Sequence, residues 1–444
     1  MFQKLSDMLT QLESPKGSKA KGVLLKEFVK DADFLWMADM ALSQGHSFGV
    51  KTFPEYDPMA SSALMADAFI KSFLETMKEN KGVTDSLLHR VHTLACQSEG
   101  HYKVITRILR KDLRCGCGAD SINRALPGAV YKCPYQRCGD ITKIRGVHYP
   151  AQLELKANGM FTYSHAEGYF TTRQGHQFSI SDNPVSRMHN DISELNQMIL
   201  IQELTVVVEG VTLPRAEGNG IINSFIKGEG EERYSGCIRA HAWGMITNEE
   251  FATGKGATPY KIMFPRLVEL LGTGGAIQPI PNWPVNSLKE AQAKANELIA
   301  AGEEGGVLKD IQSDEFVWQD EDPCNFQFKM KAEAEAEFEI VDAYYGELGK
   351  KYEHLLGGIK VKTSDGLLLS DCGGGFPDSA RKLGVPFWKD QIGKIVTLKF
   401  NGVTSKDGTT MKALDHPRII SEIRLDKTVA DTLEYCQKEL LGGI

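Results

Sequence analysis

Over the first 130 residues, apolar positions recur every three or four places and almost nowhere every two. The spacing is clear in 23–42, 61–77, 84–95 and 101–113 and predicts helices with one buried face. A short amphipathic helix is expected in residues 1–17, and a further one over Ala119–Leu126, stopped by Pro127-Gly128. Pro15, Gly17, Gly45 and the stretch Pro54 to Pro58 separate these elements, so residues 1–130 read as a compact helical bundle. Residues 131–148, rich in Cys, Pro and Gly, read as a linker. From about 149 the period changes to two. Strands are expected at 151–155, 160–163, 169–173, 205–208, 238–243, 306–309 and 326–330, with helices at 190–201, 262–270 and 287–300. That order lacks a regular βαβ repeat and predicts a mixed α+β domain over 149–336. Residues 331–340, KAEAEAEFEI, alternate strictly, which favours a half-buried strand over the helix their alanines would allow. Strands at 338–345, 358–363, 367–370, 394–400 and 418–424, set between Gly-rich turns, suit a small closed β-barrel over 337–444.

Composition narrows the class. The 444 residues have room for two to four domains, and 42% hydrophobic with 25% charged residues is ordinary for a globular protein. No apolar run reaches the length of a membrane span, and the N-terminus lacks the order of a signal peptide. Nine scattered cysteines, an odd number, fit a reducing, cytoplasmic setting. Cys115, Cys117, Cys133 and Cys138 have poor spacing for a zinc finger and are expected as free thiols. The net charge of −7 means that any nucleic-acid contact must come from local patches. One such patch is His101–Arg114. Helical spacing puts Lys103, Arg107, Arg110, Lys111 and Arg114 on one face, opposite Ile105, Ile108, Leu109 and Leu113. The face suits phosphate contact; the plainer alternative is a solvated surface.

The central region gathers a second group of charges. Lys156 follows the strand AQLEL and precedes Asn158-Gly159. An amine there can attack an α-phosphate if it is held in line and partly deprotonated, and nearby cations such as Lys329 and Lys331 would favour the neutral form. Glu154, two residues earlier on the same face, could accept a hydrogen bond from the adenine amino group. Arg173 could hold a phosphate, and Trp243 is either core or a face for stacking a base. Glu304-Gly305-Gly306-Val307-Leu308-Lys309 offers a metal or ribose carboxylate and a strand lysine. In Lys329-Met330-Lys331, two like charges on one strand face gain a reason from a bound polyanion. Arg424 and Lys427 could contact the leaving pyrophosphate, with Asp426 orienting that group; a charged turn is the plainer account. No P-loop motif is present, which argues against the usual ATPase fold.

Together these residues resemble the ATP-dependent DNA ligases, in particular the bacteriophage type with a helical N-terminal DNA-binding domain. The likeness runs over almost the whole chain. Arg110-Lys111-Asp112-Leu113-Arg114-Cys115-Gly116 resembles the R-D-L-x-C-G signature. Lys156-Ala157-Asn158-Gly159 resembles K-x-D-G, and Thr172-Arg173-Gln174-Gly175 is similar to S-R-x-G. Residues 304–309 match E-G-x-[VI]-x-K, 329–331 match K-x-K, and 424–427 match R-x-D-K. The resemblance implies a nucleotidyltransferase (adenylation) domain followed by an OB-fold. It implies ATP with Mg²⁺ (or Mn²⁺) and a monomer acting on nicked duplex DNA, not on a membrane. Lys156 would carry AMP; Glu154, Arg173, Glu209, Trp243, Glu304, Lys309, Lys329 and Lys331 would bind nucleotide; Glu209 and Glu304 would bind metal. Lys329, Lys331, Arg173, Arg424, Asp426 and Lys427 would assist transfer. The chain departs from the pattern at Asn158, at Phe161 where an arginine is usual, at Trp243-Gly244, and at Glu209-Gly210-Val211 in place of D-G-E. An RNA ligase of the same superfamily and a catalytically impaired DNA-binding relative are the alternatives.

Overall fold

A computed structural model describes every residue except 16, 51, 61–63, 79–82, 142, 143, 145, 349, 350, 406–409, 443 and 444. The chain forms two compact units. The first comprises Met1–Tyr135, Gly159–Gly256 and Leu267–Gln278; the second comprises Gln136–Asn158, Ala257–Arg266 and Pro279–Ile444. No described helix is long and apolar enough to cross a membrane.

In the first unit, seven helices from Phe2–Glu13 to Ala119–Ala125 share one apolar core. Phe2, Leu5, Leu9, Phe34, Met37, Ile70, Leu74, Val104 and Ile108 are fully or almost fully buried in it. The apolar spacing over 23–42 covers two helices, Ser18–Phe28 and Ala32–Leu42. Asp31 divides them. Its carboxylate accepts the N–H groups of Asp33 and Phe34 at 3.0 and 3.1 Å, an N-cap of about 1 kcal/mol.

The same unit holds a seven-stranded sheet. Its path runs Ile277–Pro279, Ile238–Thr247, Met198–Val208, Met160–His165, Phe170–Thr172, Gln177–Phe178, and Val211–Thr212 pairs with the long strand. The helix expected at 190–201 is not there. A helix ends at Asp191, a single 3₁₀ turn covers Ser193–Leu195, and the strand Met198–Val208 follows. In the run MILIQELTVVV successive positions are buried, 199–202 and 204–206, so both faces are covered and it lacks the alternation that marks a half-buried strand. The helix Arg215–Lys227 was not foreseen, since Gly218 and Gly220 interrupt its pattern.

In the second unit, five strands lie in the order Gln136–Asp140, Glu321–Lys331, Gly305–Lys309, Ala151–Leu155, Asn282–Val285. The first pair is parallel and the others are antiparallel. The stretch expected as a linker thus supplies an edge strand; residues 142, 143 and 145 of it lie outside the described set. The helix Leu288–Ala300, capped by Ser287, covers one face of this sheet. Ala291, Ala295 and Leu298 pack on Ala151, Leu153, Leu308 and Met330. Each large apolar side chain buried there contributes roughly 1.5–3 kcal/mol.

The expected strand in KAEAEAEFEI is present as Ala334–Tyr345, with buried and half-exposed positions alternating. It is the central strand of a second five-stranded sheet, ordered Leu369–Cys372, Leu356–Lys362, Ala334–Tyr345, Ile395–Phe400, Arg418–Ile419. This path is open, not the closed barrel expected. Its outer strands have four and two residues, too short for a continuous closing ladder, and only isolated bridges such as Gly374 with Arg418 extend the pairing. A separate hairpin, Gly402–Ser405 with Lys412–Asp415, adjoins it.

Candidate active site

The second unit's first sheet has one apolar face, under the helix Leu288–Ala300, and one charged face. Register explains the charged face. Val307 pairs with Glu154 and with Lys329, Lys309 with Gln152 and Gln327, and Gly305 with Lys331. Partners across a ladder share a face, as do residues two apart. Glu154, Lys156, Lys309, Lys329 and Lys331, all picked out by sequence, therefore lie on the same side.

Lys156 ends its strand. Its N–H donates to Gly305 O at 3.0 Å, and its ammonium is in ion-pair contact with Glu304 Oε1. Gly305 has φ +114°, and a Cβ there would lie 2.2 Å from Met330 O, so the motif's first glycine is required by backbone approach. Lys329 is exposed, and Lys331 is half-buried. Burial pushes the Lys331 pKa below the ordinary lysine value; Glu333 opposes this, while Arg418, Lys156 and Lys329 act with it. Cys138, on the edge strand, also belongs to the site. Burial raises its thiol pKa, against the opposing charges of Lys309, Lys329 and Lys156. The composition of residues 131–148 gave no hint of this placement.

Glu154 and Lys309 differ from their expected roles. Both are about 2% exposed, and Lys309 Nζ lies 2.7 Å from Glu154 Oε2. Gln152 Nε2 donates to Glu154 Oε1 at 2.9 Å, the Tyr260 hydroxyl donates to the same oxygen, and Lys309 Nζ donates to that hydroxyl at 3.2 Å. The carboxylate already takes three donors, so the structure gives Glu154 and Lys309 to each other before adenine or phosphate. A charge buried this deeply needs such a partner. Tyr260, which sequence reasoning missed, is stacked between Phe264 and Phe316; burial and then Glu154 drive its pKa far above the usual phenol value.

In the first unit, Phe161 and His241 flank Glu203 across the sheet. The Glu203 carboxylate accepts the Gly159 N–H at 3.2 Å. A Cβ on Gly159 would sit 2.1 Å from Leu204 O, so only glycine fits beside this strand. Glu203 was also missed; its signal was a lone acid within an apolar run. Trp243 falls at a bulge, because Ile201 pairs with Gly244 and Gln202 with Ala242. Bulges re-aim side chains next to functional sites. The half-buried indole meets Phe161 at 5.9 Å between centroids, and Phe161 meets Tyr135 edge-on at 5.0 Å. The exposed Arg173, in the turn after Phe170–Thr172, lies 5.1 Å over the Tyr135 ring. An aromatic row thus stands where the family pattern has an arginine at 161.

Two expectations fail on backbone geometry. Glu209 and Gly210 have φ +50° and +82° and form the tip of the hairpin joining Met198–Val208 to Val211–Thr212. Glu209, expected as a nucleotide and metal ligand, therefore projects from an exposed turn and not from a strand face. The basic stripe is also broken, since its helix stops at Leu109. Lys103 and Arg107 pair with Glu13 at 3.3 and 2.5 Å. Lys111 and Arg114 have φ +56° and +50°. Lys111 Nζ donates to Ser43 O at 2.6 Å, and burial lowers its pKa to about 8. Of the five, Arg114 is exposed and Arg110 half-buried at the helix end.

The terminal motif is locked within the C-terminal sheet. Arg424 grips Asp426 with two bonds of 2.8 and 2.7 Å and reaches Glu337 at 2.6 Å. Arg424 holds the Asp426 carboxyl down at about 2. Lys427 is exposed beside them.

No family model matches the chain. It is 22% identical over 380 residues to a DNA ligase of Enterobacteria phage T4, spanning 75% of this chain and 77% of the relative. A DNA ligase of Enterobacteria phage T6 shows the same identity and spans. A solved structure described as "Pmar-Lig_Pre." superposes with a TM-score of 0.76 at 19% identity, covering 95% of this chain and 99% of that one. A Lig E DNA ligase structure superposes with a TM-score of 0.50 at 16% identity, covering 66% of this chain and 99% of that one.

Proposed function

We infer that this chain is an ATP-dependent DNA ligase, which joins a 5′-phosphate to a 3′-hydroxyl at a nick in duplex DNA through a lysine–AMP intermediate. One observation carries the reading above the others. Lys156, Lys329 and Lys331 share one sheet face, and Lys156 is paired with the single carboxylate of Glu304.

Lys156 Nζ attacks the α-phosphorus of ATP; an N–P bond forms, and the bond to the pyrophosphate oxygen breaks. Glu304, in contact with the amine, is the nearest acceptor for its proton. Lys329 and Lys331 balance the charge on the transferring group, which passes through a loose transition state. A 5′-phosphate oxygen of the nick then takes the AMP from Lys156, and the 3′-hydroxyl displaces AMP from the DNA. Within the first unit, Trp243 and Phe161 form an aromatic surface of a kind that stacks on a base, and Arg173 carries a guanidinium of a kind that holds a phosphate. Glu203 replaces Glu209 as the acid of the first unit's sheet. The buried set Glu154, Lys309 and Tyr260 fixes the strand that ends in Lys156.

Among the described residues no cluster of three acidic, His or Cys side chains stands ready for a metal. Mg²⁺ commonly binds one or two carboxylates together with phosphate oxygens and waters, so Glu304 alone fits it. When bound, the ion would neutralise phosphate charge. Arg424, Asp426 and Lys427 act on the leaving pyrophosphate, and the C-terminal module plays the part of an OB-fold. Arg110 and Arg114 remain for DNA phosphates. The T4 and T6 relatives suggest the cytoplasm of an infected host.

The test is sealing of a nicked duplex bearing a labelled 5′-phosphate. ATP-dependent conversion to the longer strand is expected when the 3′-hydroxyl strand is DNA. Sealing confined to RNA strands would overturn the assignment in favour of an RNA ligase.

A further inference from the structure

Lys331 is engaged from the C-terminal module. Its Nζ donates to Asn401 Oδ1 at 2.9 Å, and Asn401 Nδ2 donates to Ala332 O at 3.0 Å. The Asn401 N–H is itself fixed on Asp415 O at 2.9 Å. Asn401 is the one residue between the strands Ile395–Phe400 and Gly402–Ser405. A single side chain therefore binds the lysine that ends Glu321–Lys331 and the residue after it, just where the chain passes to the next sheet.

The chemistry of this contact suits orientation. An ammonium has three donors, and the amide takes one, leaving two for phosphate oxygens. The nearby acid, Glu333, is already held by Lys399 at 2.8 Å and Arg418 at 2.5 Å. The groups acting on the Lys331 charge are thus Glu333 on one side and Arg418, Lys156 and Lys329 on the other.

We propose that Asn401 is a positioning residue for adenylyl transfer: it sets the Lys331 ammonium on the phosphate-binding face and ties that lysine to the C-terminal module. The assignment rests on the ligase reading, in which Lys331 meets the transferring phosphate.

The experiment is single-turnover labelling of the full chain with α-labelled ATP and Mg²⁺. Asn401→Ser, too short to reach Lys331, is expected to slow labelling at saturating ATP about tenfold, the effect of one hydrogen bond to a charged group. The half-saturating ATP concentration should stay within about threefold, since the loss falls on the transfer step. Asn401→Asp also loses the bond to Ala332 but keeps the acceptor for Lys331. It should recover most of the rate and move the alkaline limb of the pH profile upward, because a carboxylate stabilises the ammonium. In a Lys331→Ala background, Asn401→Ser should cost nothing further. Wild-type labelling by Asn401→Ser, equal losses in the Ser and Asp variants, or a full additional loss without Lys331 would overturn the proposal. If Asn401→Ser does not fold, an unmoved alkaline limb in Asn401→Asp overturns it. Absence of label on the wild type would instead refute the ligase reading itself.

Discussion

At Gly159 and Gly305 the side chain is excluded by a backbone carbonyl 2.1–2.2 Å from the missing Cβ. The motif glycines are thus structural conditions for placing Lys156 and Glu304. Gly159→Ala should destabilise the fold by about 1–3 kcal/mol through overpacking, read by urea unfolding; an unchanged midpoint would contradict the close approach to Leu204. Glu154 and Lys309 make a second residue-scale case. Lys309→Met strands a buried carboxylate and should cost about 3–5 kcal/mol. The double change Glu154→Leu with Lys309→Met should cost less than Lys309→Met alone. A more damaging double variant would argue that the pair is not held as described.

At the scale of elements, the first unit holds three histidines whose pKa burial lowers: His165 and His241 on strands and His189 on the helix Pro184–Asp191. His165 stacks on Tyr169 at 4.1 Å and is pushed down to about 4, while His189 and His241 are lowered in the same direction. The sign follows directly. Each is harder to protonate folded than unfolded, so its stability contribution is complete above the unfolded value near 6.5 and is lost as pH falls toward the folded value. For His165 alone the loss between pH 8 and pH 5 is about 2 kcal/mol. Urea unfolding should show this fall, and His165→Gln should flatten it; an acid-independent midpoint would contradict the burial. Elements also mark how far sequence could reach. Strict alternation in KAEAEAEFEI revealed a strand, and the helix before Ala301 was visible from its apolar spacing. Of Met198–Val208 only 205–208 was legible as a strand, because successive buried positions leave little alternation to read. The basic stripe misled for a different reason: periodicity continued past Leu109, while the backbone turned left-handed at Lys111 and Arg114.

Across the whole molecule, the charged residues legible in sequence divide between two compact units, and one of the points at which the chain passes between them lies between Asn158 and Gly159. The second unit holds Lys156, Glu304, Lys309, Lys329 and Lys331; the first holds Arg173. Lysines spaced along the sequence were recognisable because motif spacing follows strand pairing. Glu203, Tyr260, Cys138 and Asn401 were not, since each acquires its place only through pairing or packing with distant segments. The central claim is that Lys156 is the nucleophile. Incubation with α-labelled ATP and Mg²⁺, followed by peptide mapping, tests it most directly. The expected result is an acid-labile AMP on the peptide containing Lys156, absent in Lys156→Ala; label on another residue, or none on the wild-type chain, would contradict it.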